Sequence, residues 1–519
     1  MLPPFMNEPF TDFSQPESVA AFRAALDRVK AEIRRTYPIV IGGETIHSDK
    51  VFPSINPSRP AEVLGYFVNG TPEQADQAVE AAYEAFQTWQ HVPPAARSRM
   101  LLRAAALLRR RKHEFSATMV LEVGKSWAEA DADTAETIDF LEYYARQILR
   151  ISDVSHQLTP YPPEHLQLVN IPLGVGVIIP PWNFPGAIPM GLVAAALVAG
   201  NTVVFKPASQ SPWTAYRVAE VLWEAGVPRS ALSFLTGPGS STGGRLVVHP
   251  KTRFIGFTGS KEVGVWIHEN AAKVQPGQIW LKRTILEMGG KDAVLVDETA
   301  NLEAAAQGIV VSAFGFQGQK CSAGSRAIIV NDVYDRVTER VVELARQITV
   351  GAPDQGPEIF MGPVVDSKAM KTIMDYIEIG TQEGKLLLGG QPLQTSEGGY
   401  FIPPTIFGDV PPDARIAQEE IFGPVLSIIR ARDYDHALEV ANGTEFGLTG
   451  AVFSADPLRL ERARREFHVG NLYFNRKCTG ALVGIHPFGG FNMSGTDSKT
   501  GGPDYLLLFT QAKSIAERL

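Results

Sequence analysis

The sequence predicts an α/β chain with two doubly wound parallel-sheet domains in succession and a small extra β element. At 519 residues the chain is too long for one ordinary core, so at least two large domains are needed. From Gly174 onward, short β-branched runs alternate with helical stretches, as they do where helices cover both faces of a parallel sheet. A second such series starts after Glu287. The apolar share of 45% and charged share of 20% are those of a globular chain, and 47 Gly with 37 Pro point to many tight connections rather than disorder.

Local pattern gives each element in turn. Residues 1–36 form an arm, polar and Pro-containing to Pro16, then helical over 19–36 with Ala, Leu and Val on one face. Residues 38–46 read as a strand, and helical periodicity follows over 72–90, over 95–125 with a break, and over 128–151. Strands at Val175–Ile179, Thr202–Phe205, 232–235 and 254–257 then make 37–160 and 174–287 the first domain. A strand at Ala293–Val296, a helix over 301–314, a strand at Arg326–Val330 and a helix over 333–348 open the second, which runs from 288 to 490. The strand-like segments 166–171 and 505–514 have no place in either sheet and pair with each other or with another subunit. Residues 161–173 and 491–519 are therefore assigned to oligomerisation, with at least a dimer expected.

Charge and cysteine content exclude several classes. A net charge of −8 argues against nucleic acid, and the one basic run, 109–112, reads as a solvated helix face. Only Cys321 and Cys478 are present and no signal peptide is evident, which implies a reducing, cytoplasmic setting rather than a disulfide framework. The longest apolar stretch, 186–205, is broken by Pro189, Gly191, Gly200 and Asn201, so it reads as helix, turn and strand, not a membrane span. No His or Cys pair has metal-ligand spacing, and no metal site is expected.

Four segments carry chemistry. Cys321, in Phe314-Gly-Phe-Gln-Gly-Gln-Lys-Cys-Ser, falls where a helix gives way to a Gly-containing connection; taken alone it is either exposed to a cleft or a small buried hydrophobe. In Ile178-Ile-Pro-Pro-Trp-Asn-Phe-Pro, between a strand and a helix, Asn183 can donate to an oxyanion or cap a turn. Phe257-Thr-Gly-Ser-Lys-Glu-Val-Gly opens a helix at Ser260, whose N-terminus suits a pyrophosphate, although a plain strand-to-helix turn would look similar. Leu286-Glu-Met-Gly-Gly-Lys sets Glu287 at a strand end, where burial would make it a base near neutral pH and solvation would leave it an ordinary carboxylate.

Taken together, with the spacing of Asn183, Lys206, Ser260, Glu287 and Cys321, and with Phe205-Lys-Pro-Ala and Gln418-Glu-Glu-Ile-Phe-Gly-Pro-Val, these segments resemble the aldehyde dehydrogenase superfamily from about Pro38 to the C-terminus. The resemblance implies an NAD-binding Rossmann-like first domain and a catalytic second one. It makes Cys321 the thiolate nucleophile, the Asn183 amide and Cys321 N–H the oxyanion hole, and Glu287 the base that deprotonates the hydrolytic water. It places Lys206 and Glu420 on the adenosine and nicotinamide riboses, Ser260 on the pyrophosphate, and Trp182 and Phe422 on the cleft walls. Ile179, Pro181, Gly239, Thr258, Gly259 and Val263 complete the implied cofactor contacts. Ser209 stands where many NAD-specific relatives carry Glu, so NAD is expected with NADP admissible.

The run from Asn475 through Thr479-Gly-Ala and His486-Pro-Phe to Tyr505 is similar to one branch, the L-glutamate γ-semialdehyde dehydrogenases of proline catabolism. A substrate with a far-end carboxylate needs anion donors there, and the N–H groups of Gly480 and Ala481 with the Ser322 hydroxyl are implied. Phe184 and Phe488 would grip the aliphatic middle, while Arg476 and Lys477 are alternative carboxylate partners. Cys478 is expected to be inert and His486 structural. The branch also suggests a proline dehydrogenase as partner. A broader semialdehyde dehydrogenase and a non-catalytic binding protein on the same scaffold are the competing readings; comparative kinetics separates the first, and retention of nucleophile, amide and base speaks against the second.

Overall fold

In a computed structural model, residues 2–518 are described, and they form the predicted fold class. The first seven-stranded sheet runs, in spatial order, Arg283–Glu287, Thr252–Thr258, Val175–Ile179, Thr202–Phe205, Leu232–Phe234, Ile39–Ile41 and Glu44–Ile46. Its first five strands are parallel, and Ile39–Ile41 pairs antiparallel with both Leu232–Phe234 and Glu44–Ile46. Alternate residues face opposite layers: Ile178, Val203 and Phe254 pack with helix Ala187–Ala199, and Val177, Val204 and Ile255 with helix Pro72–Trp89. The second sheet has the order Lys385–Leu388, Thr405–Gly408, Val425–Ala431, Arg326–Val330, Ala293–Val296, Thr449–Phe453 and Asn471–Phe474, parallel except at its first strand.

Several sequence expectations need correction. Residues 38–46 are not one strand but a hairpin: Gly42 and Gly43, at φ 61° and 100°, turn the chain so that Ile39–Ile41 pairs antiparallel with Glu44–Ile46. The arm helix spans Pro16–Lys30 and is not a separate piece, because Phe22, Leu26 and Val29 are buried in the core shared with the following helices. Within the basic run, Lys112 is buried rather than solvated, donating to the Pro9 carbonyl and lying 3.1 Å from Asp131. In the tail, Tyr505–Phe509 is a 3-10 turn and only Thr510–Arg518 is a strand. That strand pairs antiparallel with Glu164–Pro172 of the same chain. Among the described residues no helix is long and apolar enough to cross a membrane.

The parallel strands set up the site. Their carboxyl ends deliver Ile179, Phe205 followed by Lys206, Thr258 and Glu287 to one edge of the first sheet, the edge where open α/β sheets bind ligands.

Candidate active site

Cys321 is held by its neighbours. After helix Leu302–Phe314 the backbone turns sharply through Phe316 and Gln317, both left-handed at φ 50° and 57°. Such conformations cost roughly 1–3 kcal/mol each and persist only where the surroundings impose them. Here Gln317 donates to the Gly124 and Pro363 carbonyls at 3.0 and 2.8 Å. Gln319 accepts from Val365 N–H at 3.0 Å, and Lys320 meets Glu129 at 2.7 Å. Asn183 donates one amide hydrogen to the Gln319 carbonyl at 3.0 Å, which brings the predicted oxyanion donor against the nucleophile loop and leaves its second hydrogen unassigned. Cys321 itself is partly accessible. Burial and the carboxylates of Asp292, Glu420 and Glu287 push its thiol up, so attack requires a base to take the proton.

Glu287 is buried at the end of its strand. Ser498 Oγ donates to its Oε1 at 2.5 Å, whereas Oε2 has no hydrogen-bond partner among the described residues. Burial outweighs the hydrogen bonds and pushes this carboxyl up to about 8, a value at which it gains and loses a proton under ordinary conditions. Its backbone carbonyl accepts from Gly259 N–H at 3.0 Å, tying the base to the Thr258-Gly-Ser turn.

The residues expected around a dinucleotide follow the carboxyl ends of the first sheet's strands or stand on loops from elsewhere in the chain. Ser260 caps helix Lys261–Ala272, its hydroxyl accepting from Val263 N–H at 3.4 Å. Gly239 begins an exposed turn with open space where a side chain would stand. Lys206 is buried, with one acceptor, the Pro207 carbonyl at 3.1 Å, and burial lowers its ammonium to about 8. A buried cation with no carboxylate partner among the described residues fits a ligand rich in hydroxyl or phosphate oxygens. Glu420 accepts from Gly290 N–H at 3.2 Å and lies so close over Gly289 that any side chain at 289 would strike it. Trp182 and Phe422 meet edge to face at 5.5 Å; Pro181 and Ile179, both partly exposed, lead into this wall. Ser209 lines a neighbouring cleft with Phe52, Ile55 and Asp366.

The loop after strand Asn471–Phe474 reaches the residue that follows Cys321, the Cys478 thiol lying against the Ser322 carbonyl. Arg476 donates to the carbonyls of Thr479 and Gly480 at 2.7 and 3.2 Å, so its guanidinium holds the loop instead of awaiting a carboxylate. With those carbonyls engaged, the N–H groups of Gly480 and Ala481 have no acceptor among the described residues. Gly480 has φ +81°, a conformation that favours glycine. Cys478 is fully buried, its thiol 3.4 Å from the Ser322 carbonyl and pushed up to about 12 by burial. The Ser322 side chain makes no hydrogen bond among the described residues. His486 Nδ1 accepts from Leu482 N–H at 3.2 Å within the same loop. Phe184 stands 6.5 Å from Phe316, whereas Phe488 is tied by its backbone to Thr500 at 2.9 Å, with no ring contact between Phe184 and Phe488.

Two supporting residues have no local signal in the sequence. Ser498 lies 211 residues beyond the carboxylate it serves. Lys125, fully buried, sets its ammonium 3.8 Å from the Phe184 ring, 4.5 Å from that of Phe316 and 3.0 Å from Asp133. Among the described residues no three His, Cys, Asp or Glu side chains are grouped to hold a metal ion.

A partly accessible thiol, an amide against its loop and a buried carboxylate, set where two doubly wound sheets meet, match the make-up of one class. The model of the aldehyde dehydrogenase family matches residues 45–515, and the chain belongs to that family. The 1-pyrroline-5-carboxylate dehydrogenase of Geobacillus thermodenitrificans is 59% identical over 517 residues, with 100% of each chain covered. The crystal structure of 1-pyrroline-5-carboxylate dehydrogenase from Thermus with bound NAD superposes with a TM-score of 0.97 at 53% identity, again with 100% of each chain covered. Proline utilization A from Bdellovibrio bacteriovorus is 46% identical with a TM-score of 0.96; that match takes in 99% of this chain and 53% of the other.

Proposed function

We propose that the chain oxidises L-glutamate γ-semialdehyde, formed from 1-pyrroline-5-carboxylate, to L-glutamate with NAD as cofactor, in proline catabolism. Cys321 Sγ attacks the aldehyde carbon as its proton passes to ionised Glu287, and the oxygen of the resulting thiohemiacetal is held by the Asn183 amide and the Cys321 N–H. The chemistry NAD supplies when bound is hydride acceptance, which leaves a thioester on Cys321. Glu287 releases that first proton to solvent and, ionised again, takes a proton from water; the hydroxide adds to the thioester carbon, and the Cys321 thiolate leaves. Lys206, Ser209, Gly239, Thr258, Gly259, Ser260, Val263, Glu420 and Phe422 would hold the cofactor, together with Ile179, Pro181 and Trp182. The sheets divide the work, the first binding the dinucleotide and the second carrying Cys321.

The observation that carries the substrate assignment is the loop beside Cys321, whose Gly480 and Ala481 N–H groups have no acceptor among the described residues while Arg476 holds its carbonyls. They suit a carboxylate, with the Ser322 hydroxyl as third donor and Phe184 and Phe488 on the aliphatic middle. The full-length likeness to a 1-pyrroline-5-carboxylate dehydrogenase supports the same reading. Steady-state kinetics tests it: kcat/KM for L-glutamate γ-semialdehyde should exceed that for succinate semialdehyde and for propanal. Equal values would leave a broad aldehyde dehydrogenase. Asn183→Ala should lower kcat by roughly 10²- to 10³-fold with a smaller change in KM, as expected for a donor that acts mainly on the developing oxyanion.

The proposal includes a homo-oligomer, supported by the outer edge of strand Thr510–Arg518, which has no second strand beside it among the described residues. A cytoplasmic location accords with two unpaired thiols. The match to about half of a longer protein named for proline utilization supports a proline dehydrogenase as the source of substrate.

A further inference from the structure

The first residues of the chain reach the substrate end of the site. Residues 3–13 lie along helix Trp127–Ile151: the Pro3 carbonyl accepts from Arg146 at 3.0 Å, Phe5 packs on Tyr143 at 5.1 Å, Thr11 binds Asp131 through N–H and hydroxyl at 2.7 and 2.6 Å, and Phe13 packs on Trp127 at 5.4 Å. This helix also meets the nucleophile loop, through Glu129 and Lys320, and caps the helix after Asn183, through Asp133 and the Ala187 N–H at 2.7 Å.

Asn7 joins this strap to the loop after Cys478. Its amide donates to Asp139 Oδ2 at 2.8 Å and to the Val483 carbonyl at 3.0 Å, while the neighbouring Glu8 N–H donates to Asp139 Oδ1 at 2.6 Å. Val483 lies two residues beyond Ala481 and is buried. The adjoining Gly484 leaves room for nothing larger between Phe5 and Tyr143. The loop is thus held at one end by Arg476 and at the other by Asn7, with the free Gly480 and Ala481 N–H groups between.

We propose that Asn7 is a positioning residue for substrate selection, fixing through the Val483 carbonyl the direction in which Gly480 and Ala481 present their N–H groups. The inference rests on reading that loop as the carboxylate anchor. It assigns the N-terminal segment a part in choosing aldehydes with a far-end carboxylate over those without one.

The test is Asn7→Ala in the full-length enzyme, assayed with L-glutamate γ-semialdehyde and with propanal. KM for the semialdehyde and the inhibition constant of L-glutamate should rise together by roughly threefold to tenfold, the range for one lost neutral hydrogen bond. The kcat for the semialdehyde and kcat/KM for propanal should stay within about twofold, since a contact remote from the reacting atoms acts on binding alone. Asn7→Asp, which sets a carboxylate against Asp139, should raise KM further. Equal changes for both aldehydes, or none, would overturn the role. Gly480→Ala tells the two failures apart. If it raises KM for the semialdehyde while Asn7→Ala does not, the anchor stands and the strap falls; if neither variant discriminates, the anchor reading falls with it.

Discussion

Cys321→Ser should abolish aldehyde oxidation, lowering kcat by roughly 10³-fold or more, while the fold and NAD binding persist. Serine is close in size to cysteine, and the side chain is partly accessible, so little packing is lost. What is lost is acidity and nucleophilicity. The site already pushes the thiol up through burial and three carboxylates, and a hydroxyl starts far above it, so Glu287 cannot take its proton at useful rates. Thiol chemistry checks the same assignment: iodoacetamide should inactivate the enzyme with one label on Cys321, because Cys478 is fully buried with its thiol against the Ser322 carbonyl. NAD binding by the variant can be followed through Trp182 at the cleft wall. Cys321→Ser with full retention of activity would sink the mechanism.

What could be read from the sequence and what could not follow from the range of the interactions. Asn183, Ser260, Glu287 and Cys321 each sit at a junction of a strand or helix with a loop, and such junctions are announced by local periodicity and by Gly or Pro nearby. The partners that tune them are not local: Ser498 reaches Glu287 across 211 residues, and Asn7 reaches Val483 across 476. Lys125 is a charged residue in a segment that reads as helical, and nothing in its neighbours foretells that it is fully buried between Asp133 and two aromatic rings. Strand Val51–Asn56 contains Pro53, a residue that argues against a strand, and forms because it is at the edge of a small three-stranded sheet, where a missing N–H is tolerated. The tail misled for the opposite reason. Residues 505–509 are apolar enough for a strand, but Tyr505, Leu506 and Phe509 bury themselves as a 3-10 turn before pairing begins at Thr510.

Glu287→Gln should slow both halves of the reaction, because the same carboxylate takes the proton of Cys321 and that of the hydrolytic water. The amide keeps the shape and the contact with Ser498 but takes no proton, so hydrolysis of the thioester should slow by roughly 10²- to 10⁴-fold, the span of general base catalysis. Rapid mixing should show slow NADH formation from the first turnover, because acylation is held back as well. The pH profile gives an independent reading. Burial holds the Glu287 carboxyl at about 8, so the base form grows as pH rises through that value. Wild-type turnover should therefore climb tenfold per pH unit below it and level off above, and the variant should lose that limb. Ser498 fixes the sign of a finer shift: its hydroxyl stabilises the ionised carboxylate, so Ser498→Ala should move the limb to higher pH without removing it. A Gln variant with the same pH limb as wild type would show that another group activates the water, and Ser498 would then have no part in the profile.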